Sequence, residues 1–277
     1  MILKLSYMLS LVLLYLVFLL VIFLFQRKLI YLPETFPSDC LDELTRPYHL
    51  KPWPAAQGYR GFINRNQLPQ AKGTIVIFHG NAGSAKGRYY YIEALERLGY
   101  RVILAEYPGY GSRSKRPSEA ILIEDGLQTT LLVQEQFEGP VFLWGESLGA
   151  GVVTGIIKTG EIKVKGIVLM TPFDNLANVA HHHFWFFWGK WLAIDKFNNI
   201  ENLKKFSGTT AVLLAGKDKI IPNRFTLNLY ESIVGKKQIW KFAESGHNSV
   251  PVSSESLWWS EVMEFVSINR SKSSVIV

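Results

Sequence analysis

The sequence predicts an α/β fold: a mostly parallel sheet with helices on both faces, a small helical cap and one apolar helix in front. Three observations predict it. From residue 71 onward, short apolar runs alternate with longer helical stretches, the pattern of repeated strand–helix–strand units. One junction between such a run and a helix carries Gly145-Glu146-Ser147-Leu148-Gly149. Residues 5–25 contain no charge, glycine or proline, enough for about 30 Å of helix and a bilayer crossing.

Composition narrows the classes further. The chain has 277 residues, 48% hydrophobic and 13% aromatic, which supplies a full core and excludes a disordered chain. The formal net charge is +7, to which Lys4, Arg27 and Lys28 contribute. A basic surface beside a bilayer is drawn to anionic headgroups, although a solvated basic surface is the ordinary reading. No basic cluster interleaved with aromatics points to nucleic acid. Cys40 is the single cysteine, so no intramolecular disulfide forms. Pro37-Ser38-Asp39 precedes it instead of the small apolar pair of an acylation site, and it reads as incidental.

The elements follow in order. The apolar run at residues 5–25 ends in Phe25-Gln26-Arg27-Lys28 with no small-residue cleavage site, so a retained signal anchor is expected over a cleaved signal peptide. Lys4 and the α-amino group flank one side, Arg27 and Lys28 the other, a balance that assigns no membrane face. Pro33, Pro37, Pro47, Pro52 and Pro54 mark residues 29–70 as an extended connecting segment, with an edge strand at residues 59–63. Strands are expected at residues 73–78, 101–105, 141–144, 167–170, 211–214 and 238–242, and helices near 88–98, 118–137, 148–157, 225–233 and 254–268. The expected organisation is therefore an anchor (1–28), a connecting segment (29–70) and a catalytic domain (71–277).

Residues 175–206 interrupt the alternation. Their run His181-His182-His183-Phe184-Trp185-Phe186-Phe187-Trp188, followed by Trp191, cannot place every ring on one helical face. A cap over the carboxyl edge of the sheet is expected there.

The pentapeptide at 145–149 explains itself chemically. A serine hydroxyl is a weak nucleophile and must project alone from a strained strand-to-helix turn, with glycines allowing neighbouring backbone to approach. This is the nucleophile elbow of the α/β-hydrolase fold, in which an acid and then a histidine follow on loops after late strands. Asp218, within Gly216-Lys217-Asp218, and His247, within Gly246-His247-Asn248, occupy those places. Asp174 is the rival acid, on the loop after the preceding strand. A tetrahedral intermediate needs two N–H donors, expected from the backbone of Leu148 and of Asn81 in His79-Gly80-Asn81-Ala82-Gly83. That glycine-containing loop matches neither phosphate-binding motif. His181, His182 and His183 lack metal-ligand spacing, and no cofactor or metal is assigned.

Taken together, these motifs resemble the membrane-anchored α/β-hydrolase-domain proteins, a group that includes protein depalmitoylases and lysophospholipid lipases. The resemblance also rests on Gln26-Arg27-Lys28-Leu29-Ile30-Tyr31-Leu32-Pro33, Pro117-Ser118-Glu119, Thr171-Pro172-Phe173 and Asp195-Lys196-Phe197-Asn198-Asn199. The family often has Asp-Tyr-Arg-Gly-Tyr-Gly where this chain has Glu106-Tyr107-Pro108-Gly109-Tyr110-Gly111. The short region before His79 implies that one or two leading strands are missing. By this resemblance Ser147, Asp218 and His247 are nucleophile, acid and base, acting on an acyl ester or thioester, with residues 5–25 in lipid. A serine peptidase with the same residues, or a non-catalytic membrane-bound binding module, are the alternatives.

Overall fold

The computed structural model describes residues 2–55, 58–184 and 192–268. Helix α1 (Ile2–Ile30) is the one helix among the described residues long and apolar enough to cross a membrane, over Ser6–Ile30 with mean hydropathy 3.1. Arg27 and Lys28 sit in its last turn, where cations complement the negative end of the helix dipole.

The body is an eight-stranded sheet. Its strands are β1 (Leu50–Trp53), β2 (Gly61–Asn64), β3 (Thr74–Phe78), β4 (Arg101–Ala105), β5 (Val141–Glu146), β6 (Gly166–Met170), β7 (Thr209–Ala215) and β8 (Lys237–Phe242). Their spatial order is β8-β7-β6-β5-β3-β4-β2-β1. Strands β3 to β8 pair in parallel, and β1 and β2 are antiparallel to their neighbours.

This corrects the expectation for residues 29–70. That segment supplies both leading strands, and β2 lies inside the sheet with β1 at its edge. Sequence pattern hid β1 because Pro52 sits within Leu50–Trp53, and a proline is tolerated only where no partner needs its N–H, as at an edge. The segment also contains a short helix, α2 (Leu41–Thr45).

The central strands are apolar without alternation because both faces are covered: every residue of β3, β6 and β7 is buried. Alternate side chains feed two cores. On one face Val76, Leu143 and Val212 pack with Leu127, Val152 and Leu229. These come from helices α4 (Glu119–Gln136), α5 (Leu148–Thr159) and α8 (Asn223–Ser232). On the other face Ile75, Trp144 and Leu213 pack with Tyr91 of α3 (Tyr90–Glu96) and Trp259 and Val262 of α9 (Trp258–Ser267). Ser118 caps α4 by accepting from the Ile121 N–H.

The cap contains α6 (Leu176–His183) and α7 (Asn199–Leu203), joined at their bases by an Asn175–Asn198 bridge. Trp185, Phe186, Phe187, Trp188 and Trp191 lie outside the described residues.

Candidate active site

Ser147 sits between β5 and α5 with φ 52° and ψ −110°, a conformation that costs a non-glycine residue about 1–3 kcal/mol. The surrounding backbone enforces it. A Cβ on Gly149 would overlap the Phe78 carbonyl oxygen of β3, and one on Gly145 would meet the Ala150 backbone at 2.6 Å. The Ser147 N–H donates to the Met170 carbonyl of β6 (2.9 Å), locking the turn to the next strand.

Parallel register then delivers the other two residues. β7 and β8 pair Ala215 with Phe242, so the loops leaving both strands start level with each other. His247 Nδ1 lies 2.7 Å from Asp218 Oδ2, and Nε2 lies 2.9 Å from Ser147 Oγ. A carboxylate only accepts, so Nδ1 carries the proton and Nε2 accepts from the serine hydroxyl. The other carboxylate oxygen, Asp218 Oδ1, accepts from the N–H groups of Ile220 (2.9 Å) and Ile221 (2.8 Å). The acid is thus fixed from both sides.

The rival acid is engaged elsewhere. Asp174 is buried and accepts from the Asn175 N–H (2.6 Å) and the Asn178 amide (3.2 Å) at the start of α6. Among the cap histidines, His183 pairs with the Ile220 carbonyl (2.8 Å) and lines the cavity described below, while His182 Nδ1 accepts from Arg224. Cys40 is half-buried in a turn before α2.

Asn81 and Leu148 both border the cavity that opens over Ser147. Among the described residues, neither backbone N–H takes part in the loop and cap hydrogen bonds. The Asn81 loop is held from three directions. Its carbonyl accepts from the Leu32 N–H (3.0 Å) and the Tyr110 hydroxyl (2.7 Å), and its amide donates to the Ile30 carbonyl (2.7 Å). A short parallel pair, Leu32–Pro33 with Ala82–Gly83, continues the same attachment. His79 is buried below the loop between the Gly80 carbonyl and Glu106, a structural place.

Sequence reasoning passed over the residue before the nucleophile. Glu146 receives two hydrogen bonds from Arg88 (3.0 and 3.2 Å) and one from the Tyr90 hydroxyl (3.2 Å). Burial works to raise its carboxyl pKa, but the Arg88 guanidinium overrides that and holds it below the usual value. No local motif marks such a pair, because its partners lie 58 residues apart.

The cavity over Ser147 has a volume of about 480 Å³. Phe173, Leu176, Val179 and Ile221 line the protein side, and Ile22, Phe23, Leu29 and Ile30 of α1 line the opposite side. Helix α1 therefore lines the candidate site, which the sequence reading did not foresee. Arg27 donates to both Asp195 oxygens (2.9 and 3.0 Å), and the buried Tyr31 hydroxyl donates to the same carboxylate (2.9 Å). The Gln26 side chain donates to the Leu192 carbonyl (3.1 Å) and accepts from the Ile194 N–H (2.8 Å).

A sheet of this order with a serine on such an elbow defines an α/β-hydrolase. Residues 69–200 match the family described as serine aminopeptidase, S33. Lysophosphatidylserine lipase ABHD12 of Mus musculus is 30% identical over 197 residues, 64% of this chain and 50% of that protein. The chain thus spans about half the length of such relatives. An uncharacterized protein of Mycobacterium tuberculosis is 28% identical over 230 residues, 80% of each chain. Among solved structures, an esterase of Pyrococcus furiosus superposes with a TM-score of 0.61 at 16% identity, covering 86% of this chain and 97% of that one. The chain has the α/β-hydrolase fold and is similar in sequence to serine hydrolases of the α/β-hydrolase-domain group.

Proposed function

We propose that this protein is a membrane-anchored hydrolase of carboxylic esters or thioesters with an apolar acyl chain. The observation that carries the reading is the unbroken Asp218–His247–Ser147 hydrogen-bonded chain at the floor of an apolar cavity. Ser147 Oγ attacks the acyl carbonyl as His247 Nε2 takes its proton, and Asp218 orients the imidazole and offsets its positive charge. The N–H groups of Leu148 and Asn81 receive the oxyanion, aided by the N-terminus of α5. His247 then protonates the leaving alcohol or thiol. Water, activated by the same imidazole, releases the acid from the acyl-serine, and the enzyme returns to its starting state.

The family description and the relatives' names favour different substrates, and the cavity chemistry favours the acyl one. An aminopeptidase needs a carboxylate free to bind the substrate's ammonium group. Among the described residues, Asp195 is the one carboxylate lining the cavity, and Arg27 and Tyr31 occupy it. Residues 1–28 are read as a single-pass signal anchor, and the catalytic unit as beginning with β1 near residue 50 instead of at residue 71.

The test is labelling with a fluorophosphonate, which reacts preferentially with an activated serine, followed by turnover of p-nitrophenyl esters and of aminoacyl-p-nitroanilides. Labelling lost in Ser147→Ala, with ester turnover above anilide turnover, supports the proposal. Absence of label and of ester turnover in folded wild type overturns it.

A further inference from the structure

We propose that the last two turns of α1 are a substrate-binding element: they form the wall along which the acyl chain of a bilayer-resident ester lies, so that the chain enters from the membrane and not from water. This rests on the hydrolase reading above and adds the source of the substrate and the residues that receive it.

Ile22, Phe23, Gln26, Leu29 and Ile30 face the cavity, spaced i, i+1, i+4, i+7 and i+8, which is one stripe of an α-helix. The stripe begins beside the reaction centre, where the Ile30 carbonyl accepts from the Asn81 amide. It ends at Ile22, about 12 Å further along the helix axis. Arg27 marks where the apolar run meets polar surroundings, and Ile22 lies about 7 Å beyond it on the apolar side. One cavity therefore joins Ser147 to side chains at bilayer depth.

The chemistry of the wall fits an apolar occupant. Its polar groups are spent inside the protein: Gln26 on Leu192 and Ile194, Asp195 on Arg27 and Tyr31, and the Asn81 amide on Ile30. Apart from Ser147 and the His183 ring, what the described residues turn toward the cavity is mainly hydrocarbon, and a volume of about 480 Å³ lies within the ordinary range for ligand sites, about 300–1,000 Å³. The same bonds fix α1 against the cap at residues 192–195, so the wall has a defined position. A helix serving only as a tether would have no need of them.

The experiment uses the full chain in phosphatidylcholine vesicles. Turnover of p-nitrophenyl palmitate dissolved in the bilayer is compared with that of p-nitrophenyl acetate in the water phase. Ile22→Trp should lower the palmitate-to-acetate ratio of kcat/KM at least tenfold. Leu24→Trp, on the lipid-facing side of the same helix, should change it less than twofold. Equal ratios in the two variants overturn the proposal. A second measurement needs no variant: a long-chain alkylfluorophosphonate with a terminal diazirine is attached to Ser147 of the wild type and photolysed. Crosslinks on the α1 peptide support the proposal, and crosslinks confined to residues 173–221 overturn it. Loss of Ser147 labelling altogether would remove the hydrolase reading itself, an outcome visible before photolysis.

Discussion

The two ends of the cavity are built from different materials. At the Ser147 end, main-chain packing dominates: the elbow is wedged between β3 and β6, and the acid is held by two backbone N–H groups. At the α1 end, side chains far apart in sequence do the holding, with Arg27 reaching Asp195 across 168 positions. Backbone geometry tolerates no replacement at a few glycines but is indifferent to most side chains. The side-chain clamp tolerates adjustment and can follow a changing substrate. Under the proposed function, the first end carries the reaction and the second selects which acyl chains reach it.

The largest effect tests the Ser147 end. Ser147→Ala should reduce ester turnover about a thousandfold or more, leaving only what the oxyanion donors and binding supply. His247→Ala should fall to the same level, and the double variant no further, because the two act as a unit. Additive losses measured in steady-state kinetics would mean that they are not one machine.

Gly149→Ala probes the same end through stability. The added methyl meets the Phe78 carbonyl in a fully buried strand, and overpacking there costs about 1–3 kcal/mol or more. Thermal melting should show a drop of several degrees or no folded protein, whereas Gly160→Ala, with open space around it, should suffer only the cost of its positive φ. Similar melting of the two would remove the argument that backbone crowding fixes the elbow.

The difference between the ends also explains what the sequence made legible. Gly145, Ser147, Gly149, Asp218 and His247 stand out because local backbone demands dictate residue type at short spacing, and the strand–helix alternation places them. β1 escaped because Pro52 broke the apolar pattern of an edge strand. Glu146–Arg88 and Arg27–Asp195 escaped for another reason: an ion pair leaves no periodic trace, and each partner alone resembles a solvated surface charge. The apolar face of α1 was visible but ambiguous. Lipid and a cavity wall ask for the same side chains, so hydropathy cannot separate them.

Asp195→Asn tests the α1 end. It removes the charge from a carboxylate only 3% exposed that accepts three hydrogen bonds from Arg27 and Tyr31. Bonds to a charged group contribute about 1.5–3 kcal/mol, discounted here because the 47% exposed Arg27 regains water. A loss of about 1–2 kcal/mol is expected in denaturant titration. Ser147 labelling should persist while the preference for long acyl esters declines. If labelling vanished with it, the two ends would not be separable.

The smallest effect lies beside the elbow, at Glu146. Its folded-state pKa is depressed, because the Arg88 pair outweighs the cost of burial. The unfolded chain therefore takes up the proton first on acidification. The stabilisation is complete above the ordinary glutamate value near 4.5 and is lost as pH falls through the lower folded-state value. Glu146→Gln, which keeps an acceptor for Arg88, should cost about 1 kcal/mol or less at pH 7, and the gap to wild type should narrow below about pH 4. Melting curves from pH 7 to pH 3 read this directly. A gap that stays constant would show that Arg88 positions Glu146 through geometry alone. The Ser147 elbow would then owe nothing to charge, and its rigidity would rest wholly on the glycines that let strand and helix approach.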